Sequence, residues 1–287
     1  MLDVIIVVIM IVMLVLLWIM LYDSNRFVVR NIVISDKRIK QQYKAVVLAD
    51  LHNKQYGKDN KILLDAIYKQ EADGIFIAGD LLTAKPQAPL IIAVSLLQKI
   101  GERYPVYYAN GNHEYRLKLY PEKYKTMAVE YEKALEEIGI KRLVNEQVLL
   151  SQYNIQIYGS EIDKLYYKRF TKAHMDGDYL NQLLSVPNEE SFNVLIAHNP
   201  DYFPQYAEWG ADLVLSGHVH GGIVRIPFLK GVISPTLRLF PKYDGGIFKE
   251  KEKTMVLSRG LGMHTIPIRL FNPGELLVIT LKPEEDA

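Results

Sequence analysis

Apolar and polar positions change rhythm several times along the chain. Val4 to Tyr22 runs nineteen residues without a charge and is rich in Ile, Val, Leu and Met. As a helix it would reach roughly 28 Å, close to the hydrocarbon thickness of a bilayer. Phe27 to Ile34 then alternates apolar with polar residues and is predicted to be a strand. Short, largely apolar runs follow at Ala45–Ala49, Gly74–Ala78, Val106–Ala109, Asn193–Ala197 and Leu213–Leu215. Runs of that length and composition predict strands covered on both faces. Helical spacing occupies Asp59–Tyr68 (through Ile62, Leu63, Ala66 and Ile67), Pro89–Ile100, Pro121–Ile138 and a stretch near Tyr202–Trp209. Weaker strand patterns lie at Gln147–Leu150, Ile155–Tyr158, Met255–Leu257 and Leu276–Thr280. The alternation predicts a layered α/β sandwich in which the late strands form a second sheet against the first.

The first apolar run has two readings, an uncleaved anchor and a cleavable signal. A signal would want a positive start, a shorter apolar core and small residues at the cleavage site. Here the start carries Asp3, and Trp18, Met20 and Tyr22 stand where small residues would be needed, so an anchor is expected over residues 1–26 with the domain over 27–287. Arg26, Arg30, Lys37, Arg38 and Lys40 follow the span, which by the positive-inside tendency places the domain in the cytoplasm, at the cell membrane. The same basic flank suits anionic headgroups.

Composition narrows the chemistry. The chain has 287 residues, a net charge of +1 with both signs interspersed, and no cysteine. No nucleic-acid partner is expected from that balance. Disulfides and thiolate metal sites are excluded, which leaves histidine, carboxylate and amide groups as metal ligands.

Such groups cluster where the apolar runs end. Leu213-Val214-Leu215 leads into Gly217-His218-Val219-His220-Gly221-Gly222. In an extended segment two such histidines face one pocket, and the glycines leave room for ligands to crowd the backbone. Other runs deliver Asp50-Leu51-His52, Gly79-Asp80, Asn110-Gly111-Asn112-His113-Glu114 and His198-Asn199. Five of the seven histidines therefore lie just past predicted strands. In open α/β sheets active sites gather at the C-terminal strand ends. Two divalent cations take about eight to ten protein ligand bonds, and these residues supply that number.

The series Asp50-x-His52, Gly79-Asp80, Gly111-Asn112-His113-Glu114, His198 and Gly217-His218-x-His220 resembles the calcineurin-like metallophosphoesterase superfamily, with its five blocks in order. Leu215 to His218, Lys242-Tyr243 and Ser258 to Gly262 are similar to its membrane-associated bacterial branch, which includes phosphodiesterases proposed to act on lipids. The resemblance implies an α-β-β-α sandwich and a dinuclear site. One metal would take Asp50, His52 and His220, the other Asn112, His198 and His218, and Asp80 would bridge them. A hydroxide held between the metals would attack phosphorus in line. His113 would contact phosphate and protonate the leaving oxygen, and Asn112 would also orient a phosphate oxygen. Many relatives carry an aspartate three residues after the bridging one to orient that histidine; here the position is Thr83.

Outside the blocks the signals are weaker. Arg225 and Arg259 are candidate phosphate contacts, since a guanidinium pairs with phosphate in bidentate fashion, with a surface ion pair as the alternative for each. Glu114 reads as structural. His174 sits beside the basic, aromatic stretch Leu165–Lys172, either a solvated insertion or a lid facing headgroups. His264 reads as a loop residue. Manganese, iron or zinc suits the donor set. The expected function is hydrolysis of a phosphodiester, with a lipid-linked or envelope-related substrate because of the anchor. A soluble phosphomonoester or cyclic nucleotide, a nucleotide-sugar lipid pyrophosphate of the UDP-diacylglucosamine type, and a non-catalytic metal-binding membrane scaffold are the alternatives.

Overall fold

A computed structural model describes residues 1–168, 171–222, 224–226, 230–233, 239–263 and 268–284. His264 and part of the Leu165–Lys172 stretch lie outside them. The apolar start forms helix α1 (Leu2–Ser24), 23 residues long, which is long and apolar enough to cross a membrane. Strands β1 (Phe27–Asp36) and β2 (Tyr43–Leu48) follow, then helix α2 (Lys61–Tyr68), β3 (Gly74–Ala78), α3 (Ile91–Gly101) and β4 (Val106–Ala109). Three helices come next, α4 (Asn112–Leu119), α5 (Pro121–Tyr124) and α6 (Met127–Glu137). The second half holds β5 (Glu146–Leu150), β6 (Ile155–Ser160), α7 (Tyr179–Leu184), β7 (Phe192–Ala197), α8 (Phe203–Trp209) and β8 (Leu213–Ser216). The hairpin β9 (Val224–Ile226) and β10 (Lys230–Ile233) leads to β11 (Gly246–Glu250), β12 (Lys253–Leu257) and β13 (Gly274–Pro283).

One sheet has the order β1-β13-β2-β3-β4 and the other β11-β12-β8-β7-β6-β5. Strand alternation sends each side of a sheet to a different core. Ala45 and Val47 meet Val194, Leu213, Leu215 and Val256 between the sheets, while Val46 and Leu48 pack with Leu63, Ile67, Leu97 and Tyr131 beneath the helices α2, α3 and α6. On the outer side of the second sheet Leu195, Val214 and Met255 meet Phe203, Tyr206 and Trp209 of α8. The layers are therefore α-β-β-α, as expected.

Three expectations change. The final strand β13 does not join the second sheet; it runs antiparallel to β2 and parallel to β1 in the first. Its residues are buried on both faces, so its pattern carries no information about which sheet it enters. The long helix expected over Pro121–Ile138 is broken at Lys125, which adopts φ 52°. A further helix, α4, starts at Asn112, inside the run read only as a ligand block.

The parallel strands β2, β3, β4, β7 and β8 all end on one side of the sandwich. Because β13 is antiparallel to β2 and β1 is parallel to β13, Phe27 and the last turn of α1 also lie on that side. On the far side Arg38 clamps the sheets. Its guanidinium donates to Asp36 Oδ1 and Oδ2 at 2.8 Å each, to Asp212 Oδ1 at 2.9 Å and to Ser191 O at 3.2 Å. Burial alone would raise the Asp36 carboxyl, but the bonds from Arg38 hold it below its usual value. A depressed folded pKa contributes stability above the unfolded value, which is lost as pH falls through the folded value. Arg38→Ala should therefore cost about 1–3 kcal/mol at pH 7, with the gap to the parent narrowing below about pH 4. Urea unfolding of both chains in micelles at about pH 7 and pH 3 measures this, and an equal gap at both would remove Asp36 from the account.

Candidate metal centre

The polar groups beyond the strand ends converge. Asp50, His52 and His220 place one ligand atom each within 4.8 Å of one another, and Asp80, His198 and His218 do the same. Asp80 also groups with His52 and His113, so its carboxylate stands between the two clusters. Its Oδ2 is 3.1 Å from His198 Nε2 and 3.8 Å from His52 Nε2. Asp50 Oδ1 is 3.5 Å from His220 Nε2 and 3.8 Å from His198 Nε2.

Backbone conformation aims these side chains. Asp50, His52, Asp80, His218 and His220 all have φ between 50° and 75°. Aspartate and histidine are among the few non-glycine residues enriched in that region, which costs about 1–3 kcal/mol per residue and gathers at functional sites. The two histidines of the Gly217 block consequently do not face one way by strand alternation. β8 ends at Ser216, the pair lies in the turn beyond it, and His218 and His220 serve different clusters. Glycine is required where the strand ends meet. A Cβ on Gly217 would stand 2.5 Å from Asp50 Oδ2, and one on Gly111 would stand 2.2 Å from Asp80 Oδ1.

The donor set suits divalent cations. His198 gives its Nδ1–H to Ala78 O at 2.6 Å, which turns Nε2 toward Asp80 Oδ2 at 3.1 Å as the ring atom able to take a metal or a proton, the arrangement of metal-binding histidines. His52 Nε2 and His220 Nε2 approach to 3.1 Å. The amide oxygen of buried Asn112 has no hydrogen-bond partner among the described residues, as expected of an oxygen reserved for a ligand. Asp50 is fully buried, and burial pushes its carboxyl up to about 7 although His198 pulls it down. Burial also opposes ionisation of Asp80 and His198, but their mutual attraction prevails: Asp80 stays well below the usual carboxylate range and His198 is pushed up to about 10. Two buried carboxylates facing four histidine rings thus hold negative charge that only positive charge can balance.

Helix α4 supports one edge of the site. The His113 N–H, in its first turn, donates to Asp80 Oδ1 at 2.7 Å, where the helix N-terminus favours negative charge. His113 Nδ1 accepts from the backbone N–H of Ala84 at 2.8 Å. The ring is thus oriented by main chain one residue beyond Thr83, with its Nε2–H turned away from that bond. Burial lowers the pKa of His113. No residue type signals this orienting amide in advance, because nearly every residue has one.

Two other contacts were missed or only partly read. Glu114 accepts from Gly111 N, Asp80 N and Leu81 N, each at 2.9 Å, and from Tyr108 Oη at 2.8 Å. Its bonds are structural ones, and they brace the Asp80 loop. Tyr167 packs edge-on against His218 with ring centroids 5.4 Å apart. Its basic, aromatic neighbourhood was legible, but its position over the site was not. The bonds described for Arg225 run to Gly221 O at 2.9 Å, Asp244 O at 2.6 Å and the Asp244 carboxylate at 3.1 Å. Arg259 lies 4.0 Å from Glu275, and burial lowers its pKa to about 10. Arg225 thus bonds to the first glycine after His220, and the Arg259 side chain packs beside it.

Glu114→Ala would leave the backbone N–H groups of Gly111, Asp80, Leu81 and Leu82 without that acceptor, at about 1–3 kcal/mol each. The expected loss is at least about 5 °C in Tm, with part recovered by Glu114→Gln through its remaining oxygen. Calorimetry of the three chains checks this; an unchanged Tm in the alanine variant would show that water replaces the carboxylate.

Comparison with known proteins finds a family model, calcineurin-like phosphoesterase, matching residues 43–222. An uncharacterized metallophosphoesterase of Campylobacter jejuni is 28% identical over 261 residues, 88% of this chain and 63% of that protein. The uncharacterized metallophosphoesterase YkoQ of Bacillus subtilis is 26% identical over 258 residues, 87% of this chain and 90% of that protein. The chain thus spans less than two thirds of the Campylobacter relative and nine tenths of the Bacillus one. Among solved structures, the protein TT1561 of Thermus thermophilus aligns at a TM-score of 0.46 with 10% identity, over 75% of this chain and 88% of that one.

Proposed function

The chain belongs to the calcineurin-like phosphoesterase family, and from that premise we propose that it is a membrane-anchored, metal-dependent hydrolase of phosphodiesters. The observation that carries this reading is the meeting of Asp50, His52, Asp80, His198, His218 and His220 in two clusters that share one buried carboxylate. Asp50, His52 and His220 would hold one divalent cation; Asn112, His198 and His218 would hold the other, with Asp80 between them. Bound there, two such cations supply Lewis-acid neutralisation of phosphoryl oxygens and a water acidic enough to serve as nucleophile near neutral pH. Histidine, amide and carboxylate donors suit manganese, iron or zinc.

The chain's own groups do the rest. Asn112, at the start of α4, orients a phosphoryl oxygen. His113, with Nδ1 occupied by Ala84 N–H, presents Nε2–H to the leaving oxygen and acts as donor and proton source. Arg225 and Arg259 support the phosphate side through the loop they brace. Helix α1 serves as a single-pass anchor over residues 1–26, and the domain over 27–287 begins with β1. The basic residues after the span favour a cytoplasmic domain. Tethering presents the site to membrane phosphodiesters at high effective concentration, which makes a lipid-linked substrate the favoured one.

The full chain in detergent micelles should cleave bis-p-nitrophenyl phosphate faster than the mono ester, with added manganese or zinc and not with chelator. His220→Ala should lower that rate at least about a hundredfold. Preference for the mono ester would replace the diesterase reading with a phosphomonoesterase. No turnover with manganese, zinc or magnesium would overturn hydrolysis and leave a metal-binding scaffold.

A further inference from the structure

Helix α1 does not reach the domain by a free tether. Asp23, in its last turn, is 3% exposed. Its Oδ2 accepts from Asn272 N–H at 3.0 Å, and its Oδ1 takes Arg26 at 2.8 Å. Asn272 in turn donates through its side chain to His220 O at 2.8 Å and Gly222 O at 2.9 Å. Lys54, two residues past His52, donates to Ser24 O. The helix end is therefore bonded to both loops of the Asp50–His52–His220 cluster.

The same helix end marks a depth. Trp18 and Tyr22 stack with centroids 5.4 Å apart, and the Arg26 guanidinium lies 4.7 Å above the Tyr22 ring. Paired aromatics followed by arginine at the end of an apolar span belong at the headgroup level. Loop 268–272 is fixed at that level by the Asp23–Asn272 bond, and there it exposes Ile268 (37%) and Phe271 (38%). Leu239 and Phe240, each 67% exposed, lie a few residues before Asp244, which Arg225 ties to that loop. Arg225 N donates to Leu270 O, and the Arg225 guanidinium donates to Asp244 O and Gly221 O, which joins Gly221, Asp244 and Leu270 through one side chain and its amide. Exposed apolar side chains on bonded loops mark an interaction surface, and the loop that carries Ile268 and Phe271 is bonded to the base of an apolar helix.

We propose that the domain lies with its strand-end face against the bilayer, with Ile268, Phe271, Leu239 and Phe240 entering the headgroup–acyl boundary around the base of α1. This rests on the reading of α1 as a membrane span. The posture holds the His220 cluster beside the headgroup layer, two hydrogen bonds from the span itself. Phosphoesters in lipid headgroups then reach the centre by lateral diffusion, without leaving the membrane.

The absence of cysteine permits a clean test. The full chain is reconstituted in vesicles of phosphatidylethanolamine and phosphatidylglycerol. Single nitroxide labels are placed at Phe271→Cys and Phe240→Cys, with Val15→Cys inside the span and Ser151→Cys at the opposite end of the sandwich as references. Thermal unfolding of each labelled chain verifies its fold, and collision with oxygen against an aqueous nickel chelate reads depth. The accessibility ratios at Phe271 and Phe240 are expected to shift from the Ser151 value toward the Val15 value. Ratios equal to that at Ser151, with Val15 still protected, would overturn the face-on posture while leaving the anchor and the hydrolase reading intact. An aqueous ratio at Val15 would overturn the span, and the proposal with it. Neither readout depends on turnover, so failure of the hydrolase reading is seen separately.

Discussion

Two carboxylates taken out of water set the terms for this fold. Asp50 and Asp80 sit at the ends of neighbouring parallel strands, both essentially without solvent contact. Charges buried so close together are tolerated only with positive charge and hydrogen-bond donors around them. The surrounding loops supply donors: the His218 N–H serves Asp50 and the His113 N–H serves Asp80. Four histidine rings face the same space from loops belonging to both sheets. Without a cation, a proton on His198 against ionised Asp80 meets part of the demand, and burial favours another on Asp50. A cation would replace those protons, so that binding and folding draw on the same electrostatic deficit.

That deficit explains the unusual backbone around it. The loops leaving the strands turn at once through the left-handed region, and they bond to one another rather than to solvent. Asp50 N donates to Gly79 O, His52 N to Asp80 O, and Gly217 N to His198 O. Each such bond fixes one loop by another, so the strained ligand residues are held from several sides. Glu114 extends the same lattice beneath Asp80. Rigidity at the centre is thus a property of main-chain connections, with the side chains left for chemistry.

Much of this was legible in the sequence, because strands covered on both faces announce themselves as apolar runs and their ends can be read directly. The residues that converge stand at those ends. What escaped detection depends on partners distant in the chain. β13 is as apolar as a strand of either sheet, and only its hydrogen-bonding neighbours decide its place. The amide that orients His113 has no side-chain signature. Strand spacing put His218 and His220 on one face, and only the family resemblance assigned them to different metals, since the turn that separates them lies beyond β8 instead of continuing it. Tyr167 showed as part of an aromatic, basic segment, but its packing on His218 needed the tertiary fold.

The pairing of β1 with β13 has a consequence for how the protein is made. β1 emerges directly after the apolar helix, yet its partner strand is synthesised only after every other described strand. Until then the growing chain must carry β1 with its pairing edge unfilled. Contacts of such long sequence separation close late and slow folding. An open strand edge beside a hydrophobic segment also invites pairing with other chains. Completion of the sheet thus awaits β13, and a ribosome that stops short of it leaves a chain whose first strand lacks its partner.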